Sequence, residues 1–211
     1  MKSMEALAGR SFGILGDSYS TFEGHIPEGN ACYYPLVECV DDVLRVEDTW
    51  WHQLMTKTGM RLAINDSFSG ATVCTHVRET QTLAAAYTER AKRSFSGSYD
   101  LDHIIVFGGT NDNWLGRGLG KLQFEGWTEE DLRQTLPAYC CTLNHIRSHH
   151  PQAVILSVIN TGFPQEMSEG MEAAAAHYGA VTVRLADIEK QNGHPSAQGM
   201  RQIAEQIVEA L

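Results

Sequence analysis

The sequence predicts a doubly wound α/β domain with a mainly parallel, five-stranded sheet, and two features of the chain predict it. Short apolar runs alternate with helical patterns about five times, and no repeat or linker interrupts the alternation. The runs are continuous and rich in β-branched residues, which is typical of parallel strands covered on both faces. Right-handed crossovers then place helices on both sides of the sheet, in a flavodoxin-like layout.

Each predicted element rests on a local pattern. Buried strands are expected at residues 11–15, 61–64, 102–107, 153–159 and 180–185. Helices are expected from residue 48 or 49 to about 58, over 77–93, from 128 onward, over 165–178 and from 196 to 211. Thr128 and Asp131 form a capping box for the third helix, which Pro137 kinks or restarts.

Length and charge restrict the class of protein. The chain has 211 residues, of which 43% are hydrophobic, enough for one core and therefore one domain over residues 1–211. Its formal net charge is −10 and its basic residues are scattered. Because such a chain repels phosphate backbones and anionic lipids, we expect no nucleic-acid partner and no membrane partner.

The cysteines and the first residues bear on the compartment. The number of cysteines is odd and they form no CxxC pair; they are Cys32, Cys39, Cys74, Cys140 and Cys141. Free thiols in a reducing compartment are the simplest interpretation. No signal-peptide pattern and no membrane-span pattern is visible, so the sequence predicts a cytoplasmic protein.

Chemically suggestive residues follow four of the predicted strands. Gly16-Asp17-Ser18 follows the first strand, Ser69-Gly70 the second, a segment from Gly108 to Asp112 the third, and Gly193-His194-Pro195 the fifth. Ligands of doubly wound folds bind outside the carboxyl ends of the strands. These four loops are therefore expected to converge on one site.

The four loops together carry the groups that ester hydrolysis needs. Ser18, on a glycine-assisted turn, is the expected nucleophile, and His194 is the expected base because imidazole titrates near neutrality. The backbone N–H groups of Ser18 and Gly70 and the side-chain amide of Asn111 are the expected oxyanion donors. Asp17 is expected to brace the nucleophile turn.

These motifs resemble the SGNH (GDSL-like) hydrolases. Gly16-Asp17-Ser18-Tyr19-Ser20 is similar to their block I, Gly70 to the block II glycine, Gly109-Thr110-Asn111-Asp112 to block III and His194-Pro195 to block V. The motifs occur in order from residue 11 to the C-terminus. The resemblance implies a three-layer α/β/α sandwich, no metal, no organic cofactor, and esterase, lipase or deacetylase chemistry through an acyl-serine.

One position departs from the family pattern. The acid of block V normally lies three residues before the histidine, and here that residue is Gln191. Three alternatives follow: Glu189 or Asp187 reaches the histidine through a loop distortion; Gln191 or a backbone carbonyl holds it in a Ser-His dyad; or catalysis is impaired. Loss of the orienting group slows such a reaction without necessarily abolishing it.

Two long segments, about 19–49 and 113–127, are expected to be active-site loops. They are rich in aromatic residues, and Tyr33 and Trp114 are the expected substrate-binding residues. Aromatic rings suit stacking on a sugar, which favours an acylated carbohydrate as the small-molecule ester substrate. Aromatic rings also bind acyl chains, so a lipase or lysophospholipase activity is an alternative.

Two non-catalytic alternatives remain from the sequence. A flavodoxin-like layout can hold a flavin or a phosphate at the first strand-loop, although that loop has one glycine and an aspartate. A degenerate SGNH protein that binds acylated sugars without turnover is the second, and Gln191 is its main support.

Overall fold

A five-stranded parallel sheet forms the centre of the computed structural model, which describes residues 4–35 and 42–211. The strands are β1 (Ser11–Gly16), β2 (Arg61–Ser67), β3 (His103–Phe107), β4 (Val154–Ile159) and β5 (Val181–Arg184). Their order in the sheet is β2-β1-β3-β4-β5, and all neighbours are parallel. All five predicted strands are present.

The strength of each sequence pattern follows the burial of its strand. Strands β1 and β3 are buried along their whole length, which explains their continuous apolar runs. Strand β2 lies at the edge of the sheet, and its first half alternates between exposed and half-buried residues. Its last three residues, Asn65, Asp66 and Ser67, are polar but buried, so the apolar run ended before the strand did.

Six α-helices and one hairpin accompany the sheet in the described part of the chain. The helices are α1 (Trp50–Thr58), α2 (Tyr87–Ser94), α3 (Thr110–Trp114), α4 (Thr135–His149), α5 (Gln165–His177) and α6 (Ala197–Ala210). The hairpin pairs β6 (Lys190–Gln191) with β7 (His194–Pro195). Short 3-10 helices include residues Ser18–Ser20, directly after β1.

The two faces of the sheet build two separate hydrophobic cores. Alternate residues of β3 point to opposite sides: Ile104 belongs to the core shared with α2, α4 and α5, and Ile105 to the core shared with α1 and α6. Burial of both faces is the condition under which an all-parallel sheet is stable. The chain therefore has the three-layer α/β/α architecture that the sequence predicted.

The helix expected over residues 77–93 is wrong in its first half. Only Tyr87–Ser94 is α-helical, preceded by a 3-10 turn at Leu83–Ala85. The side chain of Arg78 donates to the backbone oxygen of Gly70, and that of Gln81 donates to the backbone oxygen of Ser69. These contacts tie the segment to the loop after β2, and apolar periodicity does not register them.

The helix expected from residue 128 begins later. Thr128 and Asp131 do make the reciprocal contacts of a capping box, with Thr128 N donating to Asp131 Oδ2 at 2.9 Å and Asp131 N to Thr128 Oγ1 at 3.2 Å. These contacts lie at the start of a 3-10 turn only, Asp131–Arg133, and α4 starts at Thr135. Pro137 lies in its first turn, where no intrahelical N–H is needed.

Thiols and helix lengths complete the description of the fold. Cys32, Cys74, Cys140 and Cys141 are free, and Cys39 lies outside the described residues. Within the described ranges, no helix combines the length and the apolarity needed to cross a bilayer. The same ranges contain no cluster of three or more His, Cys, Asp or Glu side chains suited to a metal ion.

Candidate active site

A cavity of about 430 Å³ lies at the carboxyl ends of β1, β2 and β3. Its lining includes six residues that the sequence singled out: Ser18, Tyr33, Gly70, Asn111, Trp114 and His194. They come from four separate loops, and the parallel strands bring those loops to one edge of the sheet. The expected convergence is therefore present in the structure.

Ser18 and His194 are in hydrogen-bond contact. The Oγ atom of Ser18 lies 2.9 Å from Nε2 of His194, and both residues are buried. Ser18 is the first residue of a 3-10 turn that Asp17 caps, because Asp17 Oδ1 accepts a hydrogen bond from the backbone N–H of Tyr19 at 3.1 Å. The turn directs the serine side chain into the cavity.

The nucleophile turn is also braced from below. The indole N–H groups of Trp50 and Trp51 donate to Ser20, the first to its Oγ at 3.2 Å and the second to its backbone oxygen at 3.1 Å. Asp17 is fully buried, and this burial raises the pKa of its carboxyl group to about 7. The hydrogen bond from Tyr19 N–H to Asp17 makes Asp17 a capping residue of the turn that carries Ser18, which agrees with the bracing role predicted from the sequence.

Three potential oxyanion donors surround Ser18. In the described part of the chain, neither the N–H of Ser18 nor that of Gly70 donates to another group. Gly70 has a φ of +80°, and a Cβ placed there would lie 2.9 Å from the amide nitrogen of Gln81. Only glycine fits this left-handed, crowded position without strain.

Asn111 contributes the third donor from the start of α3. Its Nδ2 donates to the backbone oxygen of Ala71 at 3.0 Å, which leaves one amide hydrogen for a ligand in the cavity. The neighbouring Asp112 accepts hydrogen bonds from the backbone N–H groups of Val73 and Cys74 at 2.8 and 3.1 Å. Burial raises the pKa of Asp112, and its carboxyl group joins the second and third loops.

His194 is presented by the β6–β7 hairpin. Its turn residues, Asn192 and Gly193, have φ values of +50° and +81°, as a two-residue type I′ turn requires. Nδ1 of His194 lies 3.3 Å from the backbone oxygen of Asn192. The turn therefore places a carbonyl oxygen against the ring nitrogen that faces away from Ser18.

The family model of the GDSL-like lipases and acylhydrolases matches residues 10–211 of this chain. The chain belongs to this family. It is thus an ester hydrolase of the SGNH type, and the family implies a serine nucleophile.

Solved structures agree with this assignment. A protein of Bacteroides ovatus described as a GDSL-like lipase is 39% identical with a TM-score of 0.88, covering 96% of this chain and 97% of its own. A similarly described protein of Bacteroides uniformis is 38% identical with a TM-score of 0.90, covering 100% and 99%. An acetyl xylan esterase of Butyrivibrio proteoclasticus, 16% identical with a TM-score of 0.59, shares the fold over 96% of this chain and 63% of its own. Curated protein sequences gave no match.

The three side chains considered as orienters of His194 lie in different settings in this SGNH hydrolase. Glu189 is exposed and its Oε1 accepts a hydrogen bond from Ser196 Oγ at 2.5 Å. Asp187 is exposed, with a φ of +53°. Gln191 pairs with His194 across the hairpin, and its Oε1 is buried without a partner in the described chain. The backbone oxygen of Asn192, 3.3 Å from Nδ1 of His194, is a contact that fits the backbone-carbonyl alternative.

Aromatic rings surround the imidazole of His194. The ring of Tyr33 stacks on it, with centroids 3.6 Å apart and an interplanar angle of 10°. The hydroxyl groups of Tyr19 and Tyr34 donate to the backbone oxygens of Gly193 and Pro195 at 2.5 and 2.8 Å. Tyr33 is therefore placed to hold the histidine as well as to line the cavity, and the other two tyrosines fix the hairpin that carries it.

The two long loops contribute unequally to the cavity. The described part of residues 19–49 supplies Ala31 and Tyr33, and residues 36–41 lie outside the description. The segment 113–127 supplies Trp114, while Phe124 and Trp127 pack against the core beneath α4 and α5. Much of the second loop thus serves packing.

The sequence analysis did not predict two features of this site, the β6–β7 hairpin and the contact of Arg78 with Asn111. The dipeptide Asn192-Gly193 is a strong signal for a two-residue hairpin and would have placed the histidine on one. Arg78 also lines the cavity and donates to Asn111 Oδ1 at 3.0 Å. No local pattern marks Arg78, because its role depends on a contact across 33 residues.

Proposed function

We propose that this SGNH hydrolase cleaves small carboxylic esters through an acyl intermediate on Ser18, with His194 as the general base. The observation that carries the proposal is the 2.9 Å contact between Ser18 Oγ and His194 Nε2 in a cavity that also contains Gly70 and Asn111. A nucleophile in contact with a base, beside preorganised donors, is the arrangement that acyl transfer needs.

In the acylation step, Ser18 Oγ attacks the ester carbonyl carbon while its proton passes to Nε2 of His194. The carbonyl oxygen becomes an oxyanion that accepts hydrogen bonds from the N–H groups of Ser18 and Gly70 and from the amide of Asn111. The carbonyl then re-forms, the ester C–O bond breaks, and His194 returns its proton to the leaving alkoxide. The products are the alcohol and acyl-Ser18.

In the deacylation step, His194 takes a proton from water while the water oxygen attacks the acyl carbon. Collapse of the second tetrahedral intermediate breaks the bond to Ser18 Oγ, and His194 returns the proton to the serine. The carboxylic acid leaves and the enzyme is restored. These steps use protein groups and water alone.

For the substrate, we propose an acylated carbohydrate with a short acyl group. A cavity of about 430 Å³ is at the small end of the range for ligand sites. Tyr33 and Trp114 supply aromatic faces on which a sugar ring can stack. The acetyl xylan esterase with the same fold acts on such an ester, which makes acetylated sugars the first substrates to assay.

The test is hydrolysis of p-nitrophenyl acetate together with labelling by a fluorophosphonate. Ser18→Ala should abolish labelling, and both Ser18→Ala and His194→Ala should lower kcat by several orders of magnitude. Ser96→Ala is the matched control, because Ser96 is an exposed serine bonded to the backbone oxygen of Lys92, outside the cavity. Its labelling and turnover should equal those of the wild type.

The opposite outcome would support the binding alternative. If the wild-type protein neither turns over the ester nor takes the label, the proposal fails. Retention of acetylated sugars by both wild type and Ser18→Ala, measured by calorimetry, would then assign the cavity to binding without turnover.

A further inference from the structure

Arg78 contacts two of the three residues expected to supply oxyanion donors. Its Nη2 donates to Asn111 Oδ1 at 3.0 Å, and its Nε donates to the backbone oxygen of Gly70 at 3.3 Å. Arg78 is partly buried and lines the same cavity as Ser18. Its two hydrogen bonds therefore connect the Gly70 loop to the Asn111 side chain at the wall of this cavity.

The contact fixes which way the Asn111 amide faces. A guanidinium group has only donors, so it must meet the amide oxygen, and the backbone oxygen of Ala71 has only acceptor sites, so it must meet the amide nitrogen. With Arg78 and Ala71 on opposite ends, the amide cannot flip without losing both hydrogen bonds. Its second N–H is thereby held ready for the cavity.

The charge of Arg78 is not neutralised by a carboxylate within the described residues. None of the ion pairs there involves Arg78, and no carboxylate is among the residues that line the cavity with it. A hydrogen bond from a cation draws electron density toward Asn111 Oδ1 and strengthens its N–H donors. That effect increases as negative charge develops on the substrate oxygen.

We propose that Arg78 is a positioning residue that orients and polarises the Asn111 amide for the oxyanion. The inference rests on the proposed function, because it assigns Arg78 to the transition state of that reaction. Arg78→Met should therefore lower kcat about 10- to 100-fold and leave KM nearly unchanged, since the ground-state ester gains little from a strengthened donor. Arg78→Lys keeps the positive charge but cannot donate to both acceptors in the same fixed geometry. Its kcat should lie between that of the wild type and that of Arg78→Met.

The decisive experiment is a double-mutant cycle on kcat with p-nitrophenyl acetate. Asn111→Ala alone should lower kcat by about 10²–10³. Because Arg78 acts through the amide, adding Arg78→Met to Asn111→Ala should change kcat by no more than about twofold. Arg61→Met is the matched control: Arg61 is exposed, at the opposite end of β2, and its Nε also donates to a backbone oxygen, that of Gly9 at 3.1 Å. Circular dichroism of each variant checks that it is folded.

Each outcome separates this inference from the proposed function. If Asn111→Ala leaves kcat unchanged while Ser18→Ala abolishes it, the oxyanion role of Asn111 fails and the role of Arg78 fails with it. If Asn111→Ala lowers kcat but Arg78→Met does not, only the inference about Arg78 is overturned. The same holds if the fold-decrease in kcat of the double variant is the product of those of the two single variants. A rise in KM without a fall in kcat would show that Arg78 binds substrate instead.

Discussion

Trp114 is an exposed aromatic residue beside the proposed base. Its side chain is 48% exposed, and its ring centroid lies 5.6 Å from that of His194. Most tryptophans of a folded chain are largely buried, as Trp50 and Trp51 are here. The exposed indole at the cavity wall offers an aromatic face on which a ligand ring can stack.

We therefore predict that Trp114→Ala raises KM for an acetylated sugar about 2- to 10-fold and leaves kcat nearly unchanged, because one aromatic contact contributes about 0.5–1.5 kcal/mol. Steady-state kinetics measures the split. Leu122→Ala is the control, since Leu122 is an exposed apolar residue of the same loop that does not line the cavity. A fall in kcat with KM constant would instead indicate that Trp114 positions the ring of His194 and does not bind the substrate.

At the same scale, sequence reasoning selected proposed reactive residues that do line one cavity, and it missed two residues that contact their loops. Ser18, Gly70, Asn111 and His194 each follow a strand, and topology alone brings strand ends together. Arg78 and Tyr34 act through single long-range hydrogen bonds. Single hydrogen bonds between residues far apart in the chain leave no periodic pattern and no fixed motif spacing in the sequence, so they could not be predicted from it.

The β6–β7 hairpin is the element that decides the geometry of the base. Its turn needs positive φ at both Asn192 and Gly193, and the Asn192 carbonyl meets the imidazole. A β-branched residue in the left-handed region costs about 1–2 kcal/mol, whereas glycine and asparagine adopt it readily. A β-branched residue at position 192 would therefore strain the turn that is directly followed by His194.

We predict that Asn192→Val lowers kcat about tenfold or more, because about 1 Å of displacement of a catalytic group is enough for losses of that size. Asn192→Gly should retain most of the activity, since it satisfies the same turn. Kinetics and thermal melting of both variants check the prediction. Equal activities would show that the backbone turn does not position the base.

The helix boundaries were predicted correctly where a local capping residue sets them and wrongly where tertiary contacts do. The capping serine at 196 marked the start of α6, because Ser196 Oγ accepts from the N–H of Gly199 at 3.1 Å. Residues 77–82 have equally acceptable helical spacing, yet Arg78 and Gln81 are drawn to the loop after β2. Tertiary hydrogen bonds there override local propensity.

For the molecule as a whole, burial of Asp17 links stability to pH. The pKa of its carboxyl group is raised from 3.8 to about 7 in the folded protein. A folded state that keeps this proton longer than the unfolded chain is favoured at low pH, and that contribution is lost as the pH rises from about 4 to about 7.

Asp17→Asn removes this titration and keeps an oxygen that can accept the Tyr19 N–H. We predict that the variant gains stability relative to the wild type as the pH rises from about 4 to about 7, by up to about 1.4 kcal/mol for each pH unit in which Asp17 is ionised in the unfolded chain and still protonated in the folded protein. Urea unfolding of both proteins at several pH values measures the difference. A difference independent of pH would mean that Asp17 is ionised throughout.

The fold as a whole was the most predictable feature, and its reason is physical. Strands that are buried on both faces must be continuously apolar, as Ile104, Ile105 and Val106 in the central strand β3 show. The buried polar end of β2 follows no such rule, and it was missed. Sequence patterns report the solvent exposure of an element, and polar residues buried by specific hydrogen bonds escape them.

The contact between Ser18 and His194 joins residues that are 176 positions apart. Closing a loop of that length costs more entropy than forming local helices, and parallel pairing through distant crossovers is slow. Recovery of esterase activity after dilution from denaturant should therefore lag behind the return of helical circular dichroism. The rate at which turnover reappears would then report the last event of folding, the docking of the C-terminal hairpin onto the first strand's turn.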